Sequence, residues 1–353
     1  MDNYDLSILC SIACSAEATE VLLMSLEAIS PNIPFLFCLD GHVDQLNEKL
    51  LSDFLAKRSK ASKIIKNDSP LGYSISVNRL FNVSDTEFSL LIDSDVMLTN
   101  ECIPNLITHM ENRKVSSVQP VLIYPQTMKI QSYGHIFGKY FNKHALAGLP
   151  YDKSKPLASR EAQGITTACQ MIRTELFHKA GGLDEDYYNA YDGLELSLKF
   201  RKLGYKTIVA GDAKAYHFQG KTRTNLSLNE SIATAMFWNR WGKYIEIDFD
   251  QFFISSDWPQ LPQTKVINVS NLQDWSKISA LRDISREDYY CVRSRGVNIE
   301  LWEKLPTHLI HYPGLLIFLC DSFSQVISNE YWFYKRGSNK TVILDMHGNQ
   351  FIR

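Results

Sequence analysis

Phe88-Ser89-Leu90-Leu91-Ile92-Asp93-Ser94-Asp95-Val96-Met97-Leu98-Thr99 is the stretch from which the fold is read. Five mostly apolar residues stop at two carboxylates spaced i and i+2. A short apolar run bounded in this way is a strand buried on both faces, and its acidic end marks where the chain leaves the sheet. Working outward, Leu6 to Ala13 and Phe35-Leu36-Phe37-Cys38-Leu39-Asp40-Gly41 repeat the pattern, and Lys63-Ile64-Ile65 is a shorter version. Helical patterns lie between them. In the first, Val21, Leu22, Met24, Leu26 and Ile29 are expected to supply the buried face, and Gln45 to Lys57 is the second. Alternating strands and helices with near-continuous apolar strands predict an α/β fold with a mostly parallel sheet covered on both sides.

Composition bounds the possibilities. The chain has 353 residues, 45% hydrophobic and 22% charged, enough apolar content for large buried cores. With 37 Lys+Arg against 39 Asp+Glu the formal charge is −2, which argues against a protein that grips nucleic acid through a basic surface. Seven cysteines, an odd number without a Cys-x-x-Cys pair, suit buried thiols in a reducing compartment. Met1-Asp2-Asn3-Tyr4-Asp5 lacks a cationic secretory start, and the apolar run Gly314–Cys320 is far short of the roughly 20 residues of a spanning helix, so a cytoplasmic location is expected. Beyond residue 245 the character changes to scattered Trp and short apolar runs. The expected division is 1–245, with halves 1–100 and 101–245, followed by a C-terminal module 246–353.

The second half of the first region supplies further signals. Residues 115–140 read as strand and hairpin, Asn142 to Glu161 as a loop, Gly193 to Leu203 as a helix closed by Gly204, and Lys206 to Ala210 as a strand. Ligands of such sheets bind beyond the carboxyl ends of strands, where Asp40, Asp93 and Asp95 fall. Two carboxylates at i and i+2 can share one hard divalent ion; the plainer reading is a solvated turn. His217 could complete such a shell or serve as a hydrogen-bonding residue. Asp192-Gly193-Leu194-Glu195 reads equally as a capping box and as the source of a general base. Lys221 and Arg223 suit either a diphosphate or solvent.

Taken in order, these residues resemble a family 2 glycosyltransferase of the GT-A fold, and are similar to bacterial rhamnosyltransferase-like members. The stretches that carry the resemblance are Leu90–Val96, Val121–Pro125 with Ile130–Gly134, Ala168–Arg173, Ala180–Tyr187, and Leu194–Tyr205 running on to Asp212-Ala213 and His217. The resemblance implies an inverting transfer from a nucleotide-sugar donor (UDP-, dTDP- or GDP-linked) to a hydroxyl of a glycan or lipid-linked glycan acceptor, in bacterial surface polysaccharide synthesis. It implies Mn²⁺ or Mg²⁺ held by Asp93, Asp95 and His217, with Asp93 also near the ribose and Asp40 against the base. Gly72 and Asn78 match the donor-side loop and helix, and Lys221 would meet the diphosphate. The family's helix starts Glu-Asp; the aligned pair here is Asp192-Gly193, so the base is Asp192 or Glu195, with Asp192 preferred. Its first strand ends in a Pro-x-Tyr-Asn-like segment, replaced here by Cys10–Ser15.

Peripheral attachment at the inner face of the membrane and a homodimer through the C-terminal module are consistent with such a role. Two rivals stay open. A non-catalytic glycan- or partner-binding protein could keep the fold without the Glu-Asp pair. A nucleotidyltransferase would need a Gly-rich basic loop near the first strand, and residues 10–20 contain no Gly, Lys or Arg.

Overall fold

The computed structural model describes residues 4–41, 44–59, 61–138, 141–154, 157–187, 190–218 and 227–248, and, further on, 252, 265–270, 289–291, 315–327, 336, 341–345 and 349–352. The chain divides into two compact units, Met1–His144 with Pro150–Asp248, and Ala145–Leu149 with Phe249–Arg353. The first unit opens β1 (Leu6–Ile12), α1 (Ala16–Leu26), β2 (Phe35–Asp40), α2 (Gln45–Leu55), β3 (Lys63–Asn67), α3 (Tyr73–Val83), β4 (Phe88–Ile92), β5 (Val96–Leu98) and α4 (Cys102–Met110). It continues β6 (Val115–Tyr124), β7 (Lys129–Ser132), β8 (His135–Gly138), β9 (Phe141–His144), β10 (Arg160–Glu161), β11 (Cys169–Arg173), α5 (Thr174–Lys179), α6 (Asp192–Lys202), β12 (Lys206–His217) and α7 (Ser227–Trp241).

Ten strands form one sheet in the order β10-β12-β6-β11-β4-β1-β2-β3, with β5 on β12 and β7 on β6. β1, β2, β3, β4, β6 and β12 point one way, and β5, β7, β10 and β11 run against them. The sheet is therefore mostly parallel, as the strand–helix alternation predicts.

Successive side chains of a strand face opposite sides, and each side has its own helices. Ile8, Phe35, Phe37, Leu90 and Ile92 pack with Leu22, Leu26, Leu51, Phe54 and Leu106 of α1, α2 and α4. Leu9, Leu36 and Leu91 pack with Val77, Leu80, Phe81, Phe177, Leu196 and Phe200 of α3, α5 and α6. Both layers are buried, which is why β1, β2 and β4 are mostly apolar.

Three sequence-based expectations differ from the structure. α1 buries Ala16, Thr19, Leu22, Leu23 and Leu26, whereas Val21 and Met24 are exposed. The helical repeat selects 19, 22/23 and 26, and residues 21 and 24 lie on the opposite side. The stretch 142–161 is not wholly loop: β9 pairs with β8, and β10 pairs with β12. Finally, β12 does not stop at Ala210. Its register on β6 shifts between Ala210 and Lys214, and the strand runs on to His217. The sequence there, Gly211-Asp212-Ala213, hides that bulge.

The second unit holds a five-stranded sheet, β14-β13-β15-β16-β17, from β13 (Lys265–Asn268), β14 (Tyr289–Cys291), β15 (Leu316–Cys320), β16 (Thr341–Asp345) and β17 (Gln350–Ile352), with α8 (Phe323–Ile327) after β15. The first four are parallel and β17 closes an antiparallel pair with β16. This is a doubly wound strand order. Among the described residues no helix is long and apolar enough to cross a membrane.

Phe81 is fully buried and stacks on Phe177 at the centre of the second layer. Phe81→Ala should cost about 3–5 kcal/mol. The expected readout is a lower urea midpoint for this unit with little change in slope.

Candidate active site

The site is built where β4 leaves the sheet. The Asp93 amide donates to the Ala168 carbonyl, just before β11, at 2.9 Å, and the Val96 amide turns back to the Asp93 carbonyl at 3.2 Å. This turn places Asp93 and Asp95 at the sheet's rim and feeds the chain into β5. β5 pairs antiparallel with the far end of β12, Val96 opposite His217, and the Phe218 amide donates to the Asp95 carbonyl at 3.1 Å. The extension of β12 past its bulge therefore carries His217 to the carboxylates. Its Nε2 lies 3.0 Å from Asp95 Oδ1 and 3.9 Å from Asp93 Oδ2. One ligand atom from each of Asp93, Asp95 and His217 falls within 4.8 Å of the others. The three side chains are 29%, 22% and 12% exposed, so one side of the cluster stays open to a ligand. Two carboxylate oxygens and one imidazole nitrogen fit a hard or borderline divalent cation such as Mn²⁺ or Mg²⁺.

Asp192 belongs to the same neighbourhood. Its Oδ2 accepts from Thr167 Oγ1 at 3.1 Å, one residue before the Ala168 that anchors Asp93. The Tyr73 hydroxyl, at the start of α3, donates to the Thr167 carbonyl at 3.5 Å. Burial, then the charges of Asp93 and Asp192, push the Tyr73 phenol well above its usual range, so it stays protonated there. Asp192 is not a capping residue. It is the first residue of α6, the preceding Tyr191 has a left-handed backbone with φ 68°, and no side chain caps the helix. The backbone around Gly193 explains the missing acid of the Glu-Asp pair. A Cβ at Gly193 would lie 2.9 Å from both the Ile165 carbonyl oxygen and the Thr167 amide nitrogen. The strand-end loop that orients Asp192 and Asp93 leaves no space for a side chain at 193.

Glu195, one turn along α6, has other partners. It is 3% exposed, and its Oε1 accepts from Trp241 Nε1 of α7 at 2.9 Å. Its Oε2 is buried without a hydrogen-bond partner among the described residues. Burial raises its pKa, against the opposing pull of Lys199 and the Trp241 hydrogen bond.

The expected donor-side residues fall into three groups. Asp40 lines a cleft of about 380 Å³ with Ala13, Cys14, Ser15, Ala16, Glu17 and Asp44, beyond the carboxyl ends of β1 and β2. Its carboxylate is also committed within the fold, Oδ1 to Asn67 Nδ2 and the Leu71 amide (both 2.8 Å) and Oδ2 to the Gly72 amide (2.9 Å). Gly72, with φ 95°, precedes α3 and delivers Tyr73 to the cluster. Asn78 serves elsewhere: its amide bonds the Leu183 amide and carbonyl and Glu185, tying α3 to the loop before α6. Lys221 and Arg223 lie outside the described residues. The sequence reading gave no role to Tyr73, Thr167, Gln131 or Trp241. Tyr73 stood beside a motif glycine, a usable signal, but Thr167 and Trp241 are drawn in only by tertiary packing.

Two stability measurements follow from this geometry. A carboxyl with a raised folded-state pKa favours folding most below its unfolded value, and that advantage is lost as pH rises through the folded value. Glu195→Gln cannot ionise, so its Tm should gain on the parent's as pH rises above about 4.3; a pH-independent difference would contradict the burial cost assigned to Glu195. Gly193→Ala should destabilise by about 1–3 kcal/mol through overpacking, read by urea denaturation.

Residues 19–181 match the model of the glycosyl transferase family 2. O-antigen biosynthesis protein RfbC of Myxococcus xanthus is 23% identical over 184 residues, covering 50% of this chain and 14% of that protein. The uncharacterized protein y4gI of Sinorhizobium fredii (strain NBRC 101917 / NGR234) is 25% identical over 173 residues, 46% of this chain and 18% of that protein. The matches thus span less than a fifth of these curated relatives' length. Among solved structures, GalNAc-T7 with UDP, GalNAc and Mn²⁺ superposes with a TM-score of 0.51 at 12% identity, covering 68% of this chain and 50% of that one. That likeness concerns the fold alone, and the fold is GT-A. The family match lies across the strands and turn that carry Asp40, Asp93 and Asp95, and over that stretch this chain is similar to glycosyltransferase family 2.

Proposed function

We propose that this chain is a metal-dependent, inverting glycosyltransferase that moves a sugar from a nucleotide diphosphate donor to a glycan hydroxyl in polysaccharide assembly. The observation that carries the reading is the convergence of Asp93, Asp95 and His217 at the end of β4, with Asp192 in the same neighbourhood. The names of the similar proteins, O-antigen biosynthesis for one and a UDP–Mn²⁺ complex for another, agree with that chemistry.

In this reading the cleft at Ala13–Glu17 and Asp40 receives the nucleoside of a UDP-, dTDP- or GDP-sugar. Asp93, Asp95 and His217 would hold a divalent cation, which when bound would supply positive charge to the diphosphate. Asp192, oriented by Thr167 Oγ1, takes the proton of the acceptor hydroxyl as its oxygen bonds to the sugar's anomeric carbon. The anomeric C–O bond breaks with its electron pair leaving on the nucleoside diphosphate, and attack from the opposite face inverts the centre. Tyr73, protonated, can hold a hydrogen bond beside both acids without competing for that proton. Glu195 is less suited to be the base, because Trp241 occupies one oxygen and α7 covers it. In this reading the acceptor is a glycan or lipid-linked glycan; a lipid-linked acceptor would bring a cytoplasmic chain to the inner face of the membrane.

The test is a panel of UDP-, dTDP- and GDP-sugars with Mn²⁺, reading slow release of nucleoside diphosphate. One donor should be turned over and EDTA should abolish it. Asp95→Ala should lose metal-dependent donor binding. Asp192→Asn should bind donor normally and lose about 10²–10⁴-fold in transfer rate. Absence of binding to every donor would favour a non-catalytic binding protein, and full activity in Asp192→Asn with loss in Glu195→Gln would move the base to Glu195.

A further inference from the structure

Gln131 sits against His217, the imidazole of the cluster. It is 4% exposed, near the end of β7. The register of β7 on β6 is Ile130 opposite Ile123 and Ser132 opposite Leu122, so Gln131 is the extra residue of a bulge. Bulges re-aim side chains, often beside active sites. Here Gln131 Oε1 lies 2.7 Å from His217 Nδ1, while its Nε2 donates to the His217 carbonyl at 3.4 Å. A backbone carbonyl can only accept, which points the NH₂ end of the amide at it. The oxygen end must then face Nδ1, and an amide oxygen can only accept, so Nδ1 carries the proton. The lone pair of the neutral imidazole is thereby left on Nε2, the nitrogen that faces Asp95 and Asp93.

We propose that Gln131 is a positioning residue: it fixes the tautomer and ring orientation of His217 so that Nε2 is presented to the cation. This rests on the cation reading above and adds to it the residue that sets the affinity of the site. Outer partners of metal-bound imidazoles commonly contribute about 10–100-fold to affinity.

The experiment titrates Mn²⁺ into the full chain, without nucleotide, by the loss of the free-ion EPR signal. The proteins are the parent, Gln131→Leu, Gln131→Glu and His217→Ala. Gln131→Leu keeps much of the volume but removes the acceptor, and should weaken Mn²⁺ by about 10–100-fold with little change in metal-free melting. Gln131→Glu restores an acceptor and should recover most of the affinity. His217→Ala should lose at least as much as Gln131→Leu. In the Mg²⁺-loaded parent, long-range ¹H–¹⁵N correlation should show the His217 proton on Nδ1; a proton on Nε2 overturns the proposal even if the variants fail to fold. A parent that binds no Mn²⁺ removes the cation reading itself. A parent that binds, with Gln131→Leu binding equally or Gln131→Glu failing to recover, overturns only the role of Gln131.

Discussion

The first unit converges on one imidazole nitrogen, 3.0 Å from one carboxylate oxygen and 3.9 Å from another. Two carboxylates that close repel one another unless a proton or a cation lies between them. The first unit is arranged to hold these atoms together in spite of that. β4 delivers the acids from the centre of the sheet, and β5 and β12 bring the imidazole from another strand through their antiparallel pairing. The Asp93 amide is fixed on Ala168 and the Asp95 carbonyl on Phe218, so the turn cannot relax by swinging outward.

Much of this was legible in the chain. The apolar runs of β1, β2 and β4 show their burial directly, because a strand covered on both faces has no polar alternation to dilute the signal. Asp93 and Asp95 could be singled out because they end such a run. His217 was harder. Its strand was read as ending at Ala210, since Gly211-Asp212-Ala213 has the composition of a turn; the structure bulges there and continues. Bulges are set by what the neighbouring strands demand, and a single sequence does not record that. Gln131 was hidden for the same reason: only the register of β7 on β6 reveals it as the extra residue.

The two acids of α6 show a different limit. Asp192 and Glu195 are three apart on one helix, and the sequence offered both as bases or as a capping box. Packing separates them. Asp192 meets Thr167 at the strand-end loop, whereas Glu195 meets Trp241 some forty-six positions along the chain. No local pattern could have distinguished the two, because the partner that captures Glu195 belongs to a helix formed much later in the sequence. Gly193, by contrast, reads as a lost acid in alignment but as a steric requirement in three dimensions.

Asp40 shows how closely recognition and scaffolding are joined in this fold. One of its faces borders the cleft, while its oxygens gather the backbone that leads into α3 and, through Gly72, into Tyr73. Whoever tries to retune this chain for another nucleobase by changing that acid would also loosen the entry to the helix whose first residue stands beside Asp93. Selectivity for the base and the poise of the reaction centre are mechanically geared, and exchanging one without refitting the loop at 67–72 would slip the other out of alignment.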